Sequence, residues 1–132
     1  MSHSPATRQR PLSPHLTVYR WPITMTMSIL HRITGGALYF GMLLIAWWLI
    51  AAATSQQQFD FVNSIVTSWF GMLVLFGFTF ALVLHAAGGV RHLVWDTGAA
   101  LEKRTASSFA WASLIGAVVV TLLIWAVYFL VG

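Results

Sequence analysis

The chain contains no cysteine, which excludes disulfides, thiolate zinc sites and cysteine-held iron–sulfur clusters within it. Charge is nearly as scarce. Only 8% of the 132 residues are charged, against roughly a quarter in a soluble domain. Acids number three, Asp60, Asp96 and Glu102, against seven Lys and Arg. A net charge of +4 does not point to nucleic acid, because the cations are dispersed and form no basic stripe interleaved with aromatics. Phosphate-binding glycine loops, Ser/His/Asp sets, repeats and low-complexity tracts are also missing. The first 27 residues carry Arg8, Arg10, Arg20 and four prolines but no apolar core, so they do not read as a secretory signal. Residues 1–9 are short for a transit peptide, and a mature bacterial-type start at Met1 is expected.

What is present in quantity is apolar surface. Hydrophobic residues make up 58% of the chain, and the solvent must be mostly lipid. A spanning helix needs about 20 apolar residues to cross about 30 Å of hydrocarbon. Three stretches are long enough and free of charge: 33–55, 61–90 and 105–132. Between them lie a polar turn around Gln56–Asp60 and a loop from about Trp95 to Ser107. Arg8, Arg10, Arg20 and Arg32 precede or open the first stretch, and Arg91, Lys103 and Arg104 lie between the second and third. All seven cations therefore fall on one side, a positive-inside pattern. Trp21, Trp95 and Trp111 fall near the same interface. Trp47, Trp48, Trp69, Trp125 and Tyr128 fall toward the opposite one, as two aromatic belts. The expected fold is an all-α membrane protein of three transmembrane helices, with spans of about 30–55, 61–94 and 107–131. An N-terminal arm (1–27) lies inside, on the cytoplasmic or matrix side, before an anchor domain (28–132) whose C-terminus is outside. Any chemistry must come from a cofactor held between helices.

Ionisable residues inside a membrane are costly and are functional candidates by default. The richest set closes the second span: His85, Gly88, Gly89, Arg91, His92 and Asp96. Helical spacing aligns His85, Gly88, Gly89 and His92 on one stripe, to which Asp96 returns. His85 lies six residues before Arg91, about 9 Å of helix rise into the apolar slab. Two readings fit. His85 is the axial ligand of a buried haem, with Gly88 and Gly89 clearing a flat approach and Arg91 and His92 near its propionates. Or His85 is a packing histidine and the glycines bring helices together. His92 shares a helix with His85 and cannot face it across an iron, and His31 lies shallower, so a second ligand is expected from another polypeptide. The first span opens with Ser28, His31 and Arg32. Ser28 and Arg32 are one turn apart and suit a quinone carbonyl and a reduced quinone or propionate. They equally suit a helix-start hydroxyl and a snorkelling anchor. Asp96 fits an ion pair with Arg32 or Arg91, or proton relay to a quinone. His3 and His15 are expected to be solvated.

Three blocks then carry a family resemblance: Arg10-Pro-Leu-Ser-Pro-His15-Leu-Thr-Val-Tyr19, Ser28-Ile-Leu-His31-Arg32-Ile-Thr34-Gly35, and His85-x-x-x-Gly89-x-Arg91-His92-x-x-x-Asp96. In order and in span number the chain resembles the cytochrome b556 (large) anchor subunit of succinate dehydrogenase, from Arg10 onward. That resemblance implies a role in electron transfer from succinate to quinone. It implies His85 as haem b axial ligand, shared with a second, small anchor subunit in a heterodimeric helix bundle. It implies His31, Arg91 and His92 near the propionates, and a ubiquinone site at Ser28 and Arg32 with Asp96 nearby. Iron–sulfur and flavoprotein subunits would dock on the inner face. No succinate oxidation is expected of this chain alone. The bacterial inner membrane is the expected location, ahead of the mitochondrial one. Competing readings are a fumarate reductase anchor and a non-redox membrane scaffold or small transporter subunit.

The charge pattern makes a direct prediction about orientation. Alkaline phosphatase fused after Gly132 should be active, and the same enzyme inserted between Asp96 and Lys103 should be inactive; the reverse pattern would overturn the orientation.

Overall fold

A computed structural model describes Pro11, Ser13, His15 and residues 18–131 of the chain. His3, Arg8 and Arg10 lie outside the described residues. The described elements are all helical: α1 (Ile23–Thr54), α2 (Gln56–Val66), α3 (Trp69–Asp96) and α4 (Lys103–Val131). Helices α1, α3 and α4 are each long and apolar enough to cross a membrane. Backbone groups have no water to bond in hydrocarbon, and a helix satisfies them within its own segment.

Helix α1 begins earlier than the sequence suggests, directly after Pro22, whose carbonyl accepts from the Met25 and Thr26 N–H groups. His15 is exposed, and its carbonyl accepts from Val18 and Tyr19, turning the arm toward the helix start.

The second difference is larger. The Gln56–Asp60 turn is in fact the start of an 11-residue helix, and the second span does not reach back to Phe61. Ser55 is the pivot: its extended backbone ends α1, and its side chain accepts from the Gln58 N–H to cap α2. Val62 of α2 is fully buried, Phe59 meets Trp48, and Gln56 reaches Asp60 on the polar side at 2.8 Å. One apolar and one polar face are what a helix lying in a membrane interface needs. It ends where hydroxyls compete for the backbone. Thr67 bonds back to Asn63, Ser68 bonds back to Ile65, and Ser68 then caps α3 through the Gly71 N–H. A Cβ at Gly71 would run into the Ile65 and Val66 carbonyls, so glycine is required for α3 to start this close to α2.

Helix α3 is the central element, packed on both α1 and α4, which also touch each other. Gly41 meets Phe78, Gly35 meets His85, and Gly88 meets His31. Position climbs along α1 as it falls along α3, so the two are antiparallel and in fixed register. The core combines Met27, Leu84, Ala110 and Ala117, with Leu30, Phe80 and Leu114 packed around it. Small residues at the contacts allow close approach where no hydrophobic force drives helices together. Trp125 of α4 adds an interhelical hydrogen bond to the Thr79 hydroxyl at 3.3 Å. Large apolar side chains such as Phe40, Leu82 and Leu130 face outward, as expected of lipid- or partner-facing helices.

Candidate cofactor-binding site

The antiparallel register brings His31 and His85 together between α1 and α3. Their rings stack with centroids 3.9 Å apart and planes within 7°. His31 is therefore level with His85, not shallower. It fits because Gly88 has no side chain: a Cβ there would lie 2.5 Å from His31 Nδ1. Gly35 does the reciprocal service, since a Cβ there would lie 3.1 Å from His85 Cε1.

The hydrogen bonds of His85 decide its tautomer. Its Nδ1 lies 3.1 Å from the His31 carbonyl oxygen and 3.3 Å from the Thr34 hydroxyl. A carbonyl can only accept, so Nδ1 carries the hydrogen and donates it. The Thr34 hydroxyl donates to the Leu30 carbonyl at 2.8 Å, with the His31 carbonyl at 3.1 Å. Its lone pair is thus left for His85. With Nδ1 committed, Nε2 holds the lone pair that a metal or a hydrogen-bond donor would use.

Beyond the pair the contacts continue toward the α3 C-terminus. His92 lies 5.2 Å from His31 and meets Trp95 edge-on at 5.2 Å. The Arg91 guanidinium carbon stands 5.1 Å from the centre of the Trp95 ring. Arg91 is packed between the helices rather than exposed. It is 2% exposed and continues the buried stripe of Ala81, Leu84 and Gly88. Its Nε and Nη1 have no partner, and neither do Trp95 Nε1 and His31 Nδ1. A buried guanidinium without an acceptor is costly, so this cluster suits an anionic, acceptor-rich group.

The glycines divide. Gly88 is filled by His31, whereas Gly89 is half-buried with nothing near its would-be Cβ. Gly89 leaves room for a flat group and Gly88 does not. Ser28 is half-buried on α1, Arg32 is exposed one turn later, and Asp96 is exposed as the last residue of α3. Among the described residues no hydrogen bond or ion pair joins any two of these three, nor Asp96 to Arg91. Sequence reasoning gave Thr34 no role of its own and read Trp95 only as part of an aromatic belt. A threonine three residues after a histidine on a buried helix face was the available signal for Thr34. No group of three or more potential metal-ligating side chains occurs among the described residues.

A family model described as succinate dehydrogenase/fumarate reductase transmembrane subunit matches residues 6–124. The chain is 46% identical over 120 residues to a succinate dehydrogenase cytochrome b556 subunit of Paracoccus denitrificans, covering 91% of this chain and 92% of that one. It is 34% identical over 117 residues to the subunit of that name from Rickettsia felis, covering 89% and 91%. It is 40% identical over 97 residues to the mitochondrial succinate dehydrogenase cytochrome b560 subunit of Sus scrofa, covering 70% of this chain and 56% of that one.

The close seating of His31 against Gly88 makes a double-mutant cycle informative. Gly88→Ala should cost about 1–3 kcal/mol, the range of core overpacking, read as denaturant or thermal stability of the assembled protein. His31→Ala should relieve most of that cost. Independent, additive losses would show that the two residues do not share this space.

Proposed function

The chain belongs to the succinate dehydrogenase/fumarate reductase transmembrane subunit family, and from that membership we propose that it anchors a succinate:quinone oxidoreductase in the membrane, shares a haem b with a second anchor subunit, and forms part of the quinone site. The observation that carries the haem reading is the anchored tautomer of His85, with Nδ1–H held by α1 and the Nε2 lone pair left for a metal. Metal-bound histidines almost always donate their second ring nitrogen in this way.

The residues around His85 fit such a group. His85 would hold the haem iron through Nε2. His31 stacks face to face on His85, which supports the reading that a second histidine ligand would come from the partner subunit. Haem propionates are carboxylates. Arg91 and Trp95 offer buried, unpartnered donors for them, His31 Nδ1 is a third unpartnered site, and His92 lies alongside. The open face at Gly89 leaves space for the macrocycle. When bound, the haem supplies a one-electron store.

Quinone reduction takes up two electrons and two protons. The Ser28 hydroxyl and the Arg32 guanidinium, one turn apart on α1, are suited to hold the carbonyl oxygen, and the fixed positive charge favours the reduced oxyanion. Asp96, at the end of α3 on the same side as Arg32, offers a carboxyl through which a proton can pass. The positive-inside pattern supports a site on the inner face of a bacterial cytoplasmic membrane, where iron–sulfur and flavoprotein subunits would deliver electrons from succinate. A fumarate reductase anchor would use the same residues in the opposite physiological direction, and preference for a low-potential quinone would favour it.

A reduced-minus-oxidised spectrum of the purified complex should show a b-type α band, and His85→Ala should abolish it. A wild-type complex without the band would sink the haem reading. Ser28→Ala and Arg32→Leu should each lower quinone reduction on the order of tenfold or more, the loss of at least one charge-assisted contact. Succinate oxidation with a soluble acceptor should be unaffected. Unchanged quinone turnover in an intact complex would remove these residues from the site.

A further inference from the structure

We propose that Thr34 is a positioning residue for the haem ligand, tuning the iron through the Nδ1–H of His85; this rests on the haem reading above. The argument begins with burial. Thr34 is 7% exposed on α1, in a segment without water. Its hydroxyl has one hydrogen, directed at the Leu30 carbonyl 2.8 Å away. The oxygen's remaining lone pairs face His85 Nδ1 at 3.3 Å. The same Nδ1–H is shared with the His31 carbonyl at 3.1 Å. Gly35 makes this possible, because any side chain there would push on His85 Cε1. One turn of α1 thus supplies two acceptors to one imidazole hydrogen. Two acceptors draw more strongly on that hydrogen than one and leave more electron density at Nε2. A more basic ligand stabilises the ferric over the ferrous state. The His31 carbonyl is backbone and cannot be removed by substitution. The Thr34 hydroxyl is the adjustable half of the pair.

Thr34→Val keeps the branched shape and removes the oxygen. Thr34→Ser keeps the oxygen and removes the methyl. In purified complex, Thr34→Val should shift the haem midpoint potential upward and change the g values of the ferric low-spin signal. It should also weaken haem retention by about tenfold, the lower range for loss of a partner to a metal-bound histidine. Thr34→Ser should titrate as the wild type. A Thr34→Val complex that keeps its haem with unchanged potential and g values overturns the proposal. If Thr34→Val retains too little haem to titrate, Thr34→Ala takes its place. Loss of haem from both with Thr34→Ser loaded supports the proposal, and loss from all three overturns it, because the hydroxyl kept in Thr34→Ser then fails to hold the ligand. The haem reading fails separately, if the wild type lacks the b band or His85→Ala keeps it.

Discussion

The hydrogen bond from His85 to the backbone of α1 is the interaction on which the rest of the site depends. A histidine in hydrocarbon has no water to satisfy its ring nitrogens. A neutral imidazole must therefore place one hydrogen and one lone pair within the bundle. The His31 carbonyl and the Thr34 hydroxyl take the hydrogen. That choice sets the tautomer, the ring plane and the direction of Nε2. It also ties α3 to α1 at one register, and every neighbour follows. His31 can stack on His85 only because the register brings Gly88 opposite it, and Gly35 is needed for His85 to reach the α1 backbone.

The same absence of water explains the division of small residues. Gly35, Gly41 and Gly88 are consumed by contacts between α1 and α3, each filled by an aromatic or imidazole ring from the facing helix. Gly36, Gly77 and Gly89 meet nothing. Glycine in a membrane helix thus serves two ends, close packing inside the chain and open space for something outside it. Arg91 is the polar counterpart of the open glycines. It is buried, with two nitrogens lacking any acceptor, and a lone chain gains nothing from holding a guanidinium that way.

Much of the helical layout was legible in the sequence. Charge-free runs of spanning length, bounded by cations and tryptophans, are strong signals because lipid enforces them along the whole segment. The break at Thr67–Ser68 was not legible, because Phe61–Val66 is apolar enough to join the following run. Only the hydroxyl bonds of Thr67 and Ser68 and the tight start at Gly71 separate α2 from α3. In the candidate site, His85, His31 and His92 stood out as intramembrane or interfacial ionisable groups, and the structure brings them into one cluster. Arg91 was read as one of the inner-side cations near the propionates; its burial was not legible, because neighbours on a helix face different ways and Arg91, unlike His92, falls on the buried stripe. For Thr34 the spacing after His31 was only a faint signal, because its role arises from an oxygen lone pair aimed across helices.

The stacking of His31 on His85 also bears on why the proposed haem site would take two chains. A haem held by two histidines of one bundle requires helices far enough apart to admit the macrocycle between the rings. Here α1 and α3 approach so closely that two imidazoles lie at 3.9 Å, about the separation of ordinary packed atoms. Nothing flat fits between them. With Nδ1 turned to the α1 backbone, the lone pair of His85 is left for a group outside the space between the two stacked rings. In the proposed complex that site is completed by the second anchor subunit. Haem binding and subunit association would then be linked, because a group held by residues of both chains would favour their assembled form.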